Sequence, residues 1–214
     1  MPIGCVRASV TCTGLWDGHD RLPASARYFS WVAIDASEIL RSQWLAACDR
    51  VIGRLDHVSD DEFFWEPVPN CWTVHRRSDP PRAAGADGSG EWVIDYEIPE
   101  PEPAPFTTIA WRIVHVAAVN YLYFDYAFGT ASLSFDLEMP GSATDAVAWL
   151  KASQAQLTAV ISELAEDDLE ELTLTNWGER WPCERIWRTL IDEQVHHGAE
   201  VSLLRDLRRL WPRG

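Results

Sequence analysis

Apolar positions recur at helical spacing in four stretches of the chain. In ASEILRSQWLAACDRVIGRL, Leu40, Trp44, Ala47, Val51 and Leu55 fall 4, 3, 4 and 4 residues apart, along one face of a helix. This spacing predicts a first helix from Ala36 to near His57, with Ser59 placed to cap a short turn through Asp60, Asp61 and Glu62. A second helix, IAWRIVHVAAVNYLYFDYAF, follows the proline-rich PEPEPAP, with Thr107 or Thr108 as its N-cap and Gly129 as its stop. Its seam runs Thr108, Arg112, His115, Val119, Leu122. A third begins at Ser142 or Thr144 and carries Ala146, Leu150, Ser153, Leu157, Val160 and Leu164. The fourth starts near Pro182 and runs through CERIWRTLIDEQVHHGAEVSLLRDLRRL, before Pro212 and Gly214. Four helices of about 20 residues with seams near a 3.5-residue period predict an all-α four-helix bundle.

The segments between the helices are less regular. Residues 1–35 mix Gly, Ser, Thr and Pro without sustained periodicity and read as a weakly structured N-terminal extension to a bundle domain over 36–214. From Phe63 to Pro105 the chain is loop-rich, with a flexible stretch expected over 80–90. Two β-prone pieces, CWTVHRR at 71–77 and EWVIDYE at 91–97, flank that stretch and are expected to pair as a hairpin between the first two helices. The acidic EDDLEE after the third helix reads as a solvated helix end and turn.

The last helix carries the chemical anomaly. Its seam reads Ile186, Leu190, Glu193, His197, Val201, Leu204, so apolar positions bracket a carboxylate and an imidazole. Residues four apart project from the same face, with Cβ atoms about 5–6 Å apart, close enough for both side chains to reach one cation. A carboxylate in a bundle core must be paired, hydrogen-bonded or metal-bound to offset its desolvation. His115, at mid-helix on the second seam, offers a third ligand, and two His with one carboxylate leave open positions on Zn, Fe or Ni. Glu193 and His196 also form an E-x-x-H element, but a di-iron site requires a second such element and two further Glu, which the other helices do not supply. His196 lies one residue off the seam, and Glu200 returns near it, in place to hydrogen-bond a ligand His. His75 sits in the loop-rich region, and His57 and His19 read as surface residues.

Composition narrows the field. The chain has 214 residues, with 18 Lys+Arg against 33 Asp+Glu for a formal charge of -15. Such a surface repels phosphate backbones and anionic lipid, so nucleic acid and membrane are not expected as partners. No apolar run reaches the roughly 20 residues of a membrane span, and the start lacks the pattern of a signal peptide, so a cytoplasmic protein is expected. Five widely spaced cysteines (Cys5, Cys12, Cys48, Cys71, Cys183) form no C-x-x-C pair and read as inert thiols.

The sequence resembles the DinB-like superfamily, also called the damage-inducible or YfiT-like metalloenzyme group. The resemblance rests on FTTIAWRIVHVA (106–117), EQVHHGAEVSLLRDL (193–207) and SDDEFFWEPVPNCWTV (59–74), the last similar to an actinobacterial-type branch. It spans about residues 36–210. It implies a four-helix bundle, often dimeric, with a divalent metal at one end of the core, and places His115, Glu193 and His197 at the ligand positions. The common pattern has His at both positions of the last helix; the first is Glu193 here, which favours a harder or more weakly held ion. Some relatives are transferases that use bacillithiol or mycothiol, and mycothiol-dependent maleylpyruvate isomerases share the domain.

The resemblance and the residues together suggest a metal-dependent thiol transferase or hydrolase acting on a small molecule. A Zn, Ni, Fe or Mn ion, with mycothiol as co-substrate, would activate a thiol or water. Arg112, one turn before His115, would steady an anionic substrate or neutralise Glu193, and Trp65, Trp72 and Trp92 would shape an apolar pocket. Two rivals are a metal-free ligand-binding bundle, in which Arg112 pairs with Glu193, and a dimeric scaffold whose seam polars fix helix register.

Overall fold

A computed structural model describes residues 35–210. Of the N-terminal extension read over 1–35, residues 1–34, with Cys5, Cys12 and His19, lie outside the described residues, as do the terminal Pro212 and Gly214, whereas Asp35 belongs to the start of α1. The chain order is α1 (Ala36–Arg54), α2 (Asp60–Phe63), β1 (Val74–Arg76), β2 (Gly85–Asp87), β3 (Trp92–Tyr96), α3 (Ile109–Phe128), α4 (Ala143–Glu163), a 3₁₀ turn (Glu166–Glu170), β4 (Leu172–Leu174), β5 (Arg180–Pro182) and α5 (Cys183–Leu210).

Side-chain caps begin three of the four long helices, each a polar residue preceding the apolar run. Asp35 accepts from the Ser37 and Glu38 amides, Thr108 from Trp111 and Ser142 from Asp145, satisfying amides that have no partner within the helix. After α3 the chain turns around Asp125, whose carboxylate accepts from the amides of Thr130, Ser132 and Leu133.

Helix α1 packs against α5 and α4, and α3 packs against α4 and α5. The pairs α1/α3 and α4/α5 therefore lie on opposite diagonals of a four-helix bundle, with α2 and the small strands added to it. The core falls into two apolar halves. One gathers Val51, Ile113, Val114, Leu150 and Val201, the other Leu40, Trp44, Leu157, Ile186 and Leu190. Between them runs a buried amide chain. Gln154 donates to Gln194 (2.9 Å), Gln194 to Asn120 (3.1 Å) and Asn120 to Ser153 (3.0 Å), so each of these polar groups has a partner in the core.

Three expectations are corrected. α3 is not amphipathic: Ala110, Trp111, Ile113, Val114, Val116 and Ala117 are all buried, because the β-strands and α2 cover the face that a simple bundle would expose to water. On α4 the buried position is Ile161 rather than Val160, since an untwisted helix drifts from a 3.5-residue repeat. The stretch 80–90, expected to be flexible, contributes β2. Strands β1 and β2 both pair antiparallel with β3 (order β1-β3-β2), Val74 opposite Ile94 and Asp87 opposite Ile94 on the other side. After EDDLEE, where Leu169 is buried, β4 and β5 form a second antiparallel pair. Its signal was the alternation Leu172-Thr173-Leu174 before Asn176 and Gly178, and Gly178 takes a left-handed φ of 89° in the turn.

Two predictions follow from the packing. A Cβ added at Gly198 of α5 would lie 2.5 Å from Val51 Cγ2 on α1. Gly198→Ala is expected to cost about 1–3 kcal/mol in urea unfolding, with much of the loss recovered in Gly198→Ala/Val51→Ala. Burial, and Asp49 nearby, push the Cys48 thiol up to about 12, and burial pushes Cys183 up to about 11. Both stay protonated when folded and ionise near 9 when unfolded, so the stability they carry below pH 9 is lost as pH rises toward 11–12. Peptide mass spectrometry after iodoacetamide treatment at pH 9 is expected to find both unmodified in the native protein and modified in urea.

Candidate functional site

His115 on α3 and Glu193 and His197 on α5 converge between the two apolar halves. On α5 they lie between Leu190 of one half and Val201 of the other, rather than at an end of the core. Glu193 Oε2 is 3.3 Å from His197 Nε2 and 3.5 Å from His115 Nε2. One ligand atom from each of the three residues lies within 4.8 Å of the others. The side chains are 13%, 21% and 6% exposed for His115, Glu193 and His197, so solvent reaches the cluster mainly past Glu193 and His115.

The donor set fits a divalent cation. Ligand atoms about 2.1 Å from a tetrahedral ion lie about 3.4 Å apart, close to both measured separations. Glu193 Oε2 is buried and receives no hydrogen bond of good geometry, which is costly for a carboxylate oxygen unless a cation faces it. Burial pushes the Glu193 carboxyl up, but the two facing imidazoles outweigh it and hold the carboxyl well below its ordinary range. Burial lowers His115 and also acts to lower His197, where Glu193 and Glu200 outweigh it and raise the ring above the usual imidazole value.

Each imidazole is backed differently. The Trp111 ring, one helical turn earlier, stacks on His115 with centroids 4.6 Å apart and planes 11° apart. Trp111 is fixed by its indole N–H, which donates to the Asp95 carbonyl on β3 (2.7 Å). Tyr96, next in that strand, also lies against His115, at 6.4 Å. Behind His197, Glu200 Oε2 is 3.0 Å from Nδ1. Arg112, expected to steady substrate or neutralise Glu193, has Nη1 2.7 Å from Glu200 Oε2. The Arg112–Glu193 ion pair of the metal-free reading does not form; Arg112 instead meets Glu200, seven residues after Glu193 on α5.

The other histidines stand apart. His196 is exposed beside the Asp192 carbonyl, and its place next to Glu200 and His197 makes a second, more open donor group. His57 is exposed. His75 is buried in β1 with Nε2 3.2 Å from Asp95 Oδ1 and belongs to the packing of the sheet. Of the tryptophans expected to line a pocket, Trp72 is core. The Trp65 ring lies against the Arg208 guanidinium. Trp92 lines a groove of about 950 Å³ with Tyr121 and Trp149, separate from the His/Glu cluster. Sequence reading missed Trp111 and Tyr96; an aromatic at i−4 from His115 was the available signal for Trp111.

A family model described as the DinB superfamily matches residues 43–201, which contain all three residues of the cluster. The chain belongs to the DinB superfamily. Its fold is similar to that of a crystal structure of a DinB-like protein from Bacillus cereus ATCC 10987, with a TM-score of 0.52 and 17% identity, covering 81% of this chain and 91% of that one. No curated protein matches the chain. None of the helices among the described residues of this DinB chain is long and apolar enough to cross a membrane.

The sheet that supports Trp111 depends on Asp95. Its carboxylate is fully buried and accepts from the amides of Thr73 (2.9 Å), Arg82 (2.9 Å) and Ala83 (3.3 Å). Asp95→Ala strands these donors and is expected to cost roughly 3 kcal/mol, read as a lower urea midpoint.

Proposed function

We propose that this DinB-superfamily chain is a divalent-metal-dependent enzyme acting on a small molecule, with His115, Glu193 and His197 as the metal ligands. The observation that carries the reading is the buried Glu193 oxygen set between two imidazole Nε2 atoms at 3.3 and 3.5 Å. A Zn, Ni, Fe or Mn ion held there supplies a Lewis acid that makes a thiol or a water nucleophilic near neutral pH. Low-molecular-weight thiols of the mycothiol type are the proposed co-substrate, and S-transfer or hydrolysis the reaction class.

In this reading the chain's own residues do three things. Three protein ligands would leave a coordination position for the incoming molecule, as a catalytic site requires. Trp111 and Tyr96 present ring faces beside His115 that exclude water from its flank. Arg112 places a cation at the rim, where it steadies an anionic group of the incoming molecule.

The test is metal content by plasma mass spectrometry on untagged wild type, His197→Ala and Glu193→Ala, with unfolding curves for each. About one divalent ion per wild-type chain, lost from both folded variants, is the expected result and licenses a thiol-transfer screen. Wild type that stays empty after Zn, Ni, Mn and Fe are offered would overturn the reading.

A further inference from the structure

We infer that Glu200 is a positioning residue for the metal site. It fixes His197 by accepting the Nδ1–H, and it is clamped in place by Arg112. The inference rests on the proposed ligand role of His197 and adds a residue that makes no contact with the ion.

Three polar groups meet at one point. Glu200 Oε2 is 3.0 Å from His197 Nδ1 and 2.7 Å from Arg112 Nη1, and Arg112 Nη1 is itself 3.0 Å from His197 Nδ1. Nδ1 of His197 can either donate to Glu200 or accept from Arg112, and a cation on Nε2 requires the first, because the one proton of the neutral ring then lies on Nδ1. The guanidinium has donors and no acceptor, so its N–H points at the carboxylate. With the carboxylate as the shared acceptor, Nδ1 of His197 carries a proton and donates to it. A ring protonated at Nδ1 leaves the Nε2 lone pair, which faces Glu193 at 3.3 Å, free to bind a cation. The i, i+3 spacing on α5 sets Glu200 on the same side of the helix as His197, and Arg112 reaches it from α3.

The arrangement is asymmetric. His115 Nδ1 is buried and has no hydrogen-bond partner, so this ring is oriented by stacking on Trp111 instead. A carboxylate behind a ligand imidazole raises its basicity as well as fixing its orientation, whereas stacking fixes orientation alone. His197 is therefore the stronger of the two imidazole ligands, and Glu200 accounts for the difference.

The experiment is Zn²⁺ affinity by competition with a chromophoric chelator, using full-length wild type, Glu200→Ala and Glu200→Gln. Glu200 is 40% exposed on its side chain, so both variants are expected to fold, which thermal melts of the metal-free proteins check. Glu200→Ala is expected to weaken Zn²⁺ binding about 10–100-fold, with Glu200→Gln falling between it and wild type because an amide oxygen still accepts from Nδ1–H. A second readout separates positioning from general support. In the Zn²⁺-loaded wild type the His197 Nδ1–H resonance should be protected from solvent exchange, and it should exchange freely in Glu200→Ala at unchanged melting temperature. Wild type that binds Zn²⁺ beside a Glu200→Ala variant within twofold of it overturns this inference and leaves the metal site standing. Wild type that binds no Zn²⁺ overturns the metal site and this inference with it.

Discussion

A carboxylate held among apolar helices is the constraint around which this bundle is organised. Glu193 sits on α5 where a simple bundle would place a leucine, and removing its charge from water is costly unless polar partners meet it. The compensation comes from two helices at once: His197 from the same face of α5 and His115 from α3. That requirement fixes the register of α3 against α5. A shift of one turn, about 5.4 Å, would move His115 out of reach and leave the carboxylate uncompensated.

The amide chain Gln154–Gln194–Asn120–Ser153 extends the same logic across the bundle. Gln194 follows Glu193 directly, so the polar position on α5 continues into hydrogen bonds with α3 and α4. A buried amide without a partner costs more than its hydrogen bond returns, so this layer tolerates only one alignment of three helices. The apolar halves on either side supply most of the burial but discriminate poorly between registers, since Leu, Ile and Val pack acceptably in several. Apolar burial drives the assembly, and the polar layer selects its register.

Support for the site comes from outside the bundle as well. Trp72 donates its amide to the Phe106 carbonyl and accepts from the amide of Thr108, the N-cap of α3, and the Thr73 and Thr108 hydroxyls meet at 2.8 Å. The sheet is thereby tied to the helix that carries His115, and its strand β3 both anchors Trp111 and presents Tyr96. Glycine at 198 has a related role: it lets α1 approach α5 immediately beside His197.

The four long helices, the caps of α3 and α4 and the three convergent side chains were legible in the chain because they depend on local rules. Residues three and four apart share a helix face, and a side-chain oxygen before an apolar run satisfies free amides whatever the rest of the molecule does. His115, Glu193, His197 and even Glu200 could therefore be picked out by position. What the tertiary structure alone decided is which charges meet. Arg112 went to Glu200 and not to Glu193, His75 went to Asp95, and Trp111 rather than the expected tryptophans came to flank the site. It also buried all sides of α3 and added β2, β4 and β5, because strands of three residues leave too little periodicity to read and owe their form to partners distant in the sequence. Long-range pairing depends on the offset and depth of packed helices, quantities that no local pattern in the chain encodes.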